Sequence, residues 1–177
     1  MKFSALEEYG LRCMVSMARH DPERAMNITD LARAEKLTGA YVGKLMRILR
    51  RGGLVESLQG PTGGYRLSRP AGEISTAEIL SVLGGRLYEP GICRKYPGGT
   101  MACIHNSGCA IRSLWAGLDM IVGEVLSRTF LSDLVKNEKN LAQWIRGQIP
   151  ALMEAAARSA GSPARGPGGP ARSAGEV

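Results

Sequence analysis

Aromatic side chains are scarce in this 177-residue chain, with two Trp, two Phe and five Tyr. A core must therefore be filled by Leu, Ile, Val, Met and Ala, and a hydrophobic fraction of 44% supplies enough of them. Histidine is scarcer still, limited to His20 and His105. No paired catalytic carboxylates, nucleotide-binding loop or Ser-His-Asp set stands out, so the chain is not expected to be an enzyme. No apolar run approaches the length of a membrane span, and no membrane partner is expected. The first nine residues, MKFSALEEY, carry acids where a signal peptide needs an apolar stretch. A cytoplasmic location is the expectation, and thiols stay reduced there. Cys-x-x-Cys pairs, the usual mark of a structural zinc site, are missing. No internal repeat is present.

What the chain has in excess is positive charge. Lys and Arg outnumber Asp and Glu by 23 to 16, a net charge of +7, and the pI is near 9.5. Such a balance favours an anionic partner. Residues 3–19 read as a helix, because Leu6, Gly10, Cys13, Met14 and Met17 recur at helical spacing. Cys13 lies on that stripe and reads as a buried core thiol. Residues 28–36 form a second helical stretch, and a short turn at 37–39 follows. Thr38 is placed to N-cap a third helix running to about Arg51. Val42, Leu45, Ile48 and Leu49 make its inner face. Tyr41, Lys44, Arg47 and Arg51 lie largely on the other side. Two short helices, a tight turn and a basic second helix are a helix-turn-helix pattern. Residues 54–58 and 65–68 read as two strands around the turn Gly-Pro-Thr-Gly-Gly at 60–64, and a hairpin in that place is a wing. Double-stranded DNA is the expected partner. Lys44, Arg47, Arg50 and Arg51 are positioned for phosphates, Tyr41 and Lys44 for base edges, and Gln59, Thr62 and Arg66 for wing contacts.

Ser75, with Glu78 three residues on, starts a further helix over 76–83 that stops at Gly84-Gly85. Then comes a Gly- and Pro-rich loop holding Cys93, Cys103 and Cys109. Thiolates suit zinc, copper(I) and iron–sulfur clusters. Nine residues separate the first two cysteines and five the last two. Three thiols cannot close a four-ligand site, so a fourth ligand must come from elsewhere. His105 sits awkwardly close to Cys103, whereas a carboxylate such as Glu8, brought in by a partner subunit, would serve. The spacing leaves an iron–sulfur cluster, a zinc site and free or redox-switching thiols all open. A longer helix over roughly 110–130 carries Leu114, Leu118, Ile121, Val125 and Thr129 in steps of four and three. Residues 131 to about 149 read as a turn and a last helix. From Ala155 the composition turns to Ala, Gly, Ser, Pro and Arg, which predicts a disordered tail whose Arg158, Arg165 and Arg172 add loose phosphate affinity. The fold expected is mainly α with a small β-hairpin wing. It divides into a DNA-binding domain (1–84), a cysteine loop (85–109), a dimerisation helix with a C-terminal helix (110–150) and a disordered tail (151–177).

These segments together resemble a known family. The stretches are EYGLRCM at 8–14, YVGKLMRILRRGGLV at 41–55 and, most specific, the wing GPTGGYRL at 60–67. The three loop cysteines, the Leu114-Trp115 pair and LSDLV at 131–135 complete the set. The chain is similar, from Met1 to about Gln143, to the Rrf-two family of winged-helix transcription regulators, that of IscR, NsrR and CymR. The resemblance implies a homodimer that pairs through its long helix over Leu114, Leu118, Ile121 and Val125. It also implies a near-palindromic operator and a repressor's role. In cluster-binding members three loop cysteines hold an iron–sulfur cluster, 2Fe–2S or 4Fe–4S, and by position these are Cys93, Cys103 and Cys109. Its iron–sulfur regulators have a histidine three residues after the last cysteine, where this chain has Arg112. The nitric-oxide repressors use an acid from the other subunit's first helix, and Glu8 stands there. A related redox regulator adds a histidine four residues on, where Arg12 stands here. The gap after Cys93 is longer than the family's usual five. Gly43 and Gln59 replace a glutamate and an arginine of the iron–sulfur regulators, so a different operator is expected. The alternative is a regulator of the same fold without a cluster, controlled by a partner protein, a metabolite or thiol oxidation.

Overall fold

A computed structural model of the protein describes residues 4–21, 24–60, 63–84, 109–136 and 138–160. Helix α1 spans Ala5–Arg19 and begins where its cap begins. The Ser4 hydroxyl accepts from the Glu7 N–H, and the Glu7 carboxylate accepts from the Ser4 N–H at 2.6 Å. This closed box satisfies two orphan donors and starts the helix one or two residues later than periodicity alone suggests. Gly10, Cys13, Met14 and Met17 are its buried stripe. Helix α2 (Ile28–Glu35) ends at Lys36, which takes the left-handed conformation at φ 55°. Helix α3 (Gly39–Arg51) starts on Thr38, whose hydroxyl accepts from the Tyr41 N–H at 3.3 Å. The three-residue turn between the two helices makes the helix-turn-helix.

Strands β1 (Val55–Leu58) and β2 (Gly64–Leu67) pair antiparallel, with Glu56 opposite Arg66 and Ser57 opposite Tyr65. Tyr65 also bridges Met26, so the chain entering α2 lies along the other edge of β2. Gly60 leads into the wing tip at φ 108°, a region open to glycine and costly for other residues. The next helix, α4 (Thr76–Leu83), carries the Ser75–Glu78 box that its sequence predicts. Its packing is close: a Cβ on Gly10 would lie 2.5 Å from the Leu83 methyls, and one on Gly52 the same distance from the Val82 methyls.

The core lies among α1, α2, α3, α4 and the hairpin. Met14, Leu31, Leu45, Met46, Leu49, Ile74 and Ile79 are fully buried in it. No aromatic residue is among the buried core of the described residues, as the composition requires. Met46, which the sequence reading did not count, is fully buried on α3, while Ile48 is half-buried and packs against the core.

Helix α5 covers Ala110–Arg128, α6 Leu131–Val135 and α7 Glu138–Ala160. The end of α5 is sewn to the head. Thr76 donates its N–H to the Thr129 carbonyl and its hydroxyl to the Leu126 carbonyl, at 2.8 and 2.7 Å. Leu131 donates to the Ile74 carbonyl at 2.8 Å. Thr129 is 4% exposed, so it belongs to this anchor and not to the stripe on which periodicity places it. The disordered tail expected from residue 151 needs correction, because α7 continues through Pro150 to Ala160. Residues 151–160, ALMEAAARSA, are strong helix formers, and that propensity outweighs the low-complexity composition. Residues 161–177, with Arg165 and Arg172, lie outside the described residues. Among those described, no helix is long and apolar enough to cross a membrane.

Candidate nucleic-acid interface and metal centre

Helix α3 turns Val42, Leu45, Met46 and Leu49 into the core and so leaves its basic face outward. Lys44, Arg47 and Arg51 are exposed there, and Tyr41 is half-buried at its N-terminal end. Arg50 donates to the Ser57 hydroxyl at 3.2 Å, so this residue ties the helix to the wing. In the wing, Gln59 is exposed at the end of β1, and Thr62 lies outside the described residues. Arg66 is paired with Glu56 at 2.5 Å, each side chain more than a third exposed. A surface pair of this kind contributes only about 0–1 kcal/mol. Arg66 can therefore be drawn onto a phosphate at small cost.

A polar and aromatic contact set joins α1 to this reading head, and sequence reasoning missed it. The Tyr9 and Tyr41 rings meet edge to face with centroids 5.9 Å apart. The Arg12 guanidinium lies 5.4 Å from the Tyr9 centroid and donates to Glu35 Oε2 at 2.8 Å. Ser16 also donates to Glu35. The Glu35 hydrogen bond holds Arg12 above its ordinary pKa, and the nearby Glu8 carboxylate acts in the same direction. Tyr9, Arg12 and Ser16 share one helical face, beside the apolar stripe of α1.

Of the expected metal ligands, Cys93 and Cys103 lie outside the described residues. Cys109 is the N-cap residue of α5, half-buried, and its carbonyl accepts from the Ser113 N–H at 3.2 Å. Glu8 is exposed in the first turn of α1. Among the described residues no three His, Cys, Asp or Glu side chains converge on one point. Cys13 is the fourth cysteine, and it is removed from contention. It is sealed in the core, and burial, with the Glu35 charge adding, pushes its thiol up to about 12. A thiol held neutral is not a metal ligand.

Helix α5 exposes a row of apolar side chains along one face. Ile111 is 62% exposed, Leu114 57%, Trp115 45%, and Leu118 and Ile121 37% each. Val125, nearer the anchor, is half-buried.

The Rrf2 family, described as iron-dependent transcriptional regulators, matches residues 3–137 of the chain. The chain belongs to the Rrf2 family. The HTH-type transcriptional regulator IscR of Cereibacter sphaeroides is 31% identical over 140 residues, 78% of this chain and 89% of that relative. Among solved structures, CymR, the global cysteine regulator of B. subtilis, superposes with a TM-score of 0.63 at 30% identity, covering 76% of this chain and 96% of that one. IscR of T. potens superposes with a TM-score of 0.60 at 27% identity, covering 76% and 86%. The winged helix-turn-helix reading of the sequence is therefore correct, and this Rrf2 chain is a transcriptional regulator of the DNA-binding kind. Its α5 face and its cysteines are the parts that the likeness leaves to be argued from chemistry.

Proposed function

We propose that the protein is a homodimeric repressor whose affinity for a near-palindromic operator is set by an iron–sulfur cluster. Two copies pair through the exposed face of α5, and each presents α3 and a wing to one half-site. Tyr41 and Lys44 read base edges, while Arg47, Arg51, Gln59, Thr62 and Arg66 hold the backbone. Cys93, Cys103 and Cys109 would hold the cluster, with Glu8 from the other subunit's first helix as the weak fourth ligand. Such a cluster would supply a redox- and nitric-oxide-sensitive group whose assembly or loss reorders the loop before α5.

The observation that carries this reading is the position of Cys109. It stands directly before the uncovered apolar row of α5, so a group bound there sits at the proposed interface between subunits. The exclusion of Cys13 leaves the chain three usable thiols, which fits a site completed by an oxygen ligand. Purification without oxygen, followed by an absorbance spectrum with iron and acid-labile sulfide assays, tests it. Coloured protein containing both elements is expected, with the cluster destabilised in Glu8→Ala. Colourless protein free of iron and sulfide refutes the cluster, and leaves control by a partner, a metabolite or thiol oxidation.

A further inference from the structure

A cavity of about 530 Å³ opens between the end of α1, the chain entering α2 and the base of the wing. Sites for small molecules span roughly 300–1,000 Å³ and combine an apolar lining with a few polar groups. Met17, Met26, Tyr65 and Leu67 give this cavity its apolar part. Three arginines, Arg24, Arg66 and Arg69, line it as well, against the two acids Asp21 and Glu56. Arg66 pairs with Glu56, and Arg69 with Glu78 at 2.9 Å, both at the surface. The Arg24 side chain makes no ion pair or hydrogen bond among the described residues, and it is exposed. The cavity thus offers an apolar bed beside one guanidinium that has no partner among the described residues.

We propose that this cavity binds a small organic carboxylate with an apolar body, the acid group resting on Arg24. A guanidinium accommodates a carboxylate through two parallel hydrogen bonds, and the methionines accept a variety of apolar shapes. Occupancy has a consequence for DNA. Tyr65 and Leu67 belong to β2, Met26 leads into α2, and Arg66 stands both in the cavity wall and on the wing. A ligand there bears on how the wing sits against the reading head, so it changes DNA affinity, and DNA changes its affinity by the same factor. This site is separate from the cysteines and independent of any cluster.

The test uses the full chain with its methionine methyls labelled with carbon-13 and followed by NMR. The probes are hexanoate and phenylacetate, with hexanol and inorganic phosphate as comparisons. Saturable shifts of the Met17 and Met26 methyls are expected with the two acids, with dissociation constants on the order of 1 mM. The Met14 and Met46 methyls are fully buried and outside the cavity lining, and should not move. Arg24→Gln should weaken hexanoate about tenfold and leave hexanol unchanged. Absence of a saturable shift at both Met17 and Met26 up to about 50 mM acid overturns the site. Equal binding of hexanol and hexanoate overturns the carboxylate. An equal response to inorganic phosphate overturns the apolar body.

Discussion

Leu114 offers the sharpest test of the proposed pairing of two chains through α5. Fully burying a leucine side chain contributes about 1.5–3 kcal/mol. Leu114 is already partly covered by its own chain, and 57% of it remains to be buried. That leaves about 1–1.7 kcal/mol for the interface to gain from each copy. A two-fold interface uses the same patch twice, so replacing Leu114 costs the dimer about 2–3.4 kcal/mol, roughly 30- to 300-fold in its dissociation constant. Leu114→Gln is the appropriate change, because glutamine keeps helix propensity close to that of leucine and leaves the monomer's helix intact. Sedimentation equilibrium over a concentration series measures the effect directly. Fluorescence anisotropy with a full operator and with a single half-site gives the functional counterpart: the full site loses affinity, and the half-site does not. If Leu114→Gln changes the dimer constant by less than about threefold while circular dichroism is unchanged, the row from Ile111 to Ile121 is not the interface and the reasoning fails.

Arg47→Ala should lower the slope of log affinity against log salt by about 1 for each protomer bound, because each phosphate contact releases a counterion. An unchanged slope means Arg47 meets no phosphate. Cys13 gives a pH dependence. Its folded thiol is pushed up to about 12 from 9.0, so above pH 9 the unfolded chain loses this proton first. Stability should therefore fall as pH rises past 9, by at most about 1.4 kcal/mol per pH unit from this group. Urea midpoints for wild type and Cys13→Ala measured across that range should converge as the pH rises; parallel curves would rule the burial effect out. Thr76→Val keeps the shape of the side chain but removes the donor to the Leu126 carbonyl, and should cost about 1–2 kcal/mol in chemical denaturation. A neutral result would mean that α5 is not held to the head through this bond.

Local chemistry explains which parts of the fold were legible in the sequence. The Thr38 cap, the Ser75–Glu78 box and the apolar spacing of α1 and α3 act within four residues, and a reader sees them directly. The wing was legible because Gly60 and the glycines after it have no common reading but a turn. What failed depended on distant neighbours. Met46 is fully buried although the inner-face count passes over it, and Ile48 packs at the core's edge. Thr129 has the spacing of the α5 stripe, but Thr76, 53 positions earlier, captures it with a backbone bond. The tail was misread for a different reason. Its Gly, Pro and Ser lie mostly beyond residue 160, and averaging them with the alanines before hid a helix-forming stretch. Of the candidate site, the DNA-facing residues were readable from the outer face of one helix. For the Tyr9–Tyr41 and Arg12–Glu35 contacts only the shared face of α1 was readable; their partners on α2 and α3 were not.

Those contacts bear on how a signal at the cysteines would reach DNA in the reading proposed above. Glu8 precedes Tyr9 directly and stands one helical turn from Arg12, so a pull on Glu8 acts on the same segment of α1 that touches Tyr41 and Glu35. Tyr41 occupies the N-terminal end of α3, and Glu35 ends α2, so the two residues bracket the turn of the reading head. A ring contact such as Tyr9–Tyr41 is worth about 0.5–1.5 kcal/mol. Allosteric coupling between two sites is typically about 1–3 kcal/mol. The contact is thus large enough to carry much of such a coupling, and small enough to be broken by a weak oxygen ligand gained or lost at Glu8. Tyr9→Leu would retain most of the packing and remove the ring. It should leave cluster content unchanged while reducing the difference in DNA affinity between cluster-loaded and cluster-free protein. If that difference is unaltered in Tyr9→Leu, the signal travels through the α5 pairing alone.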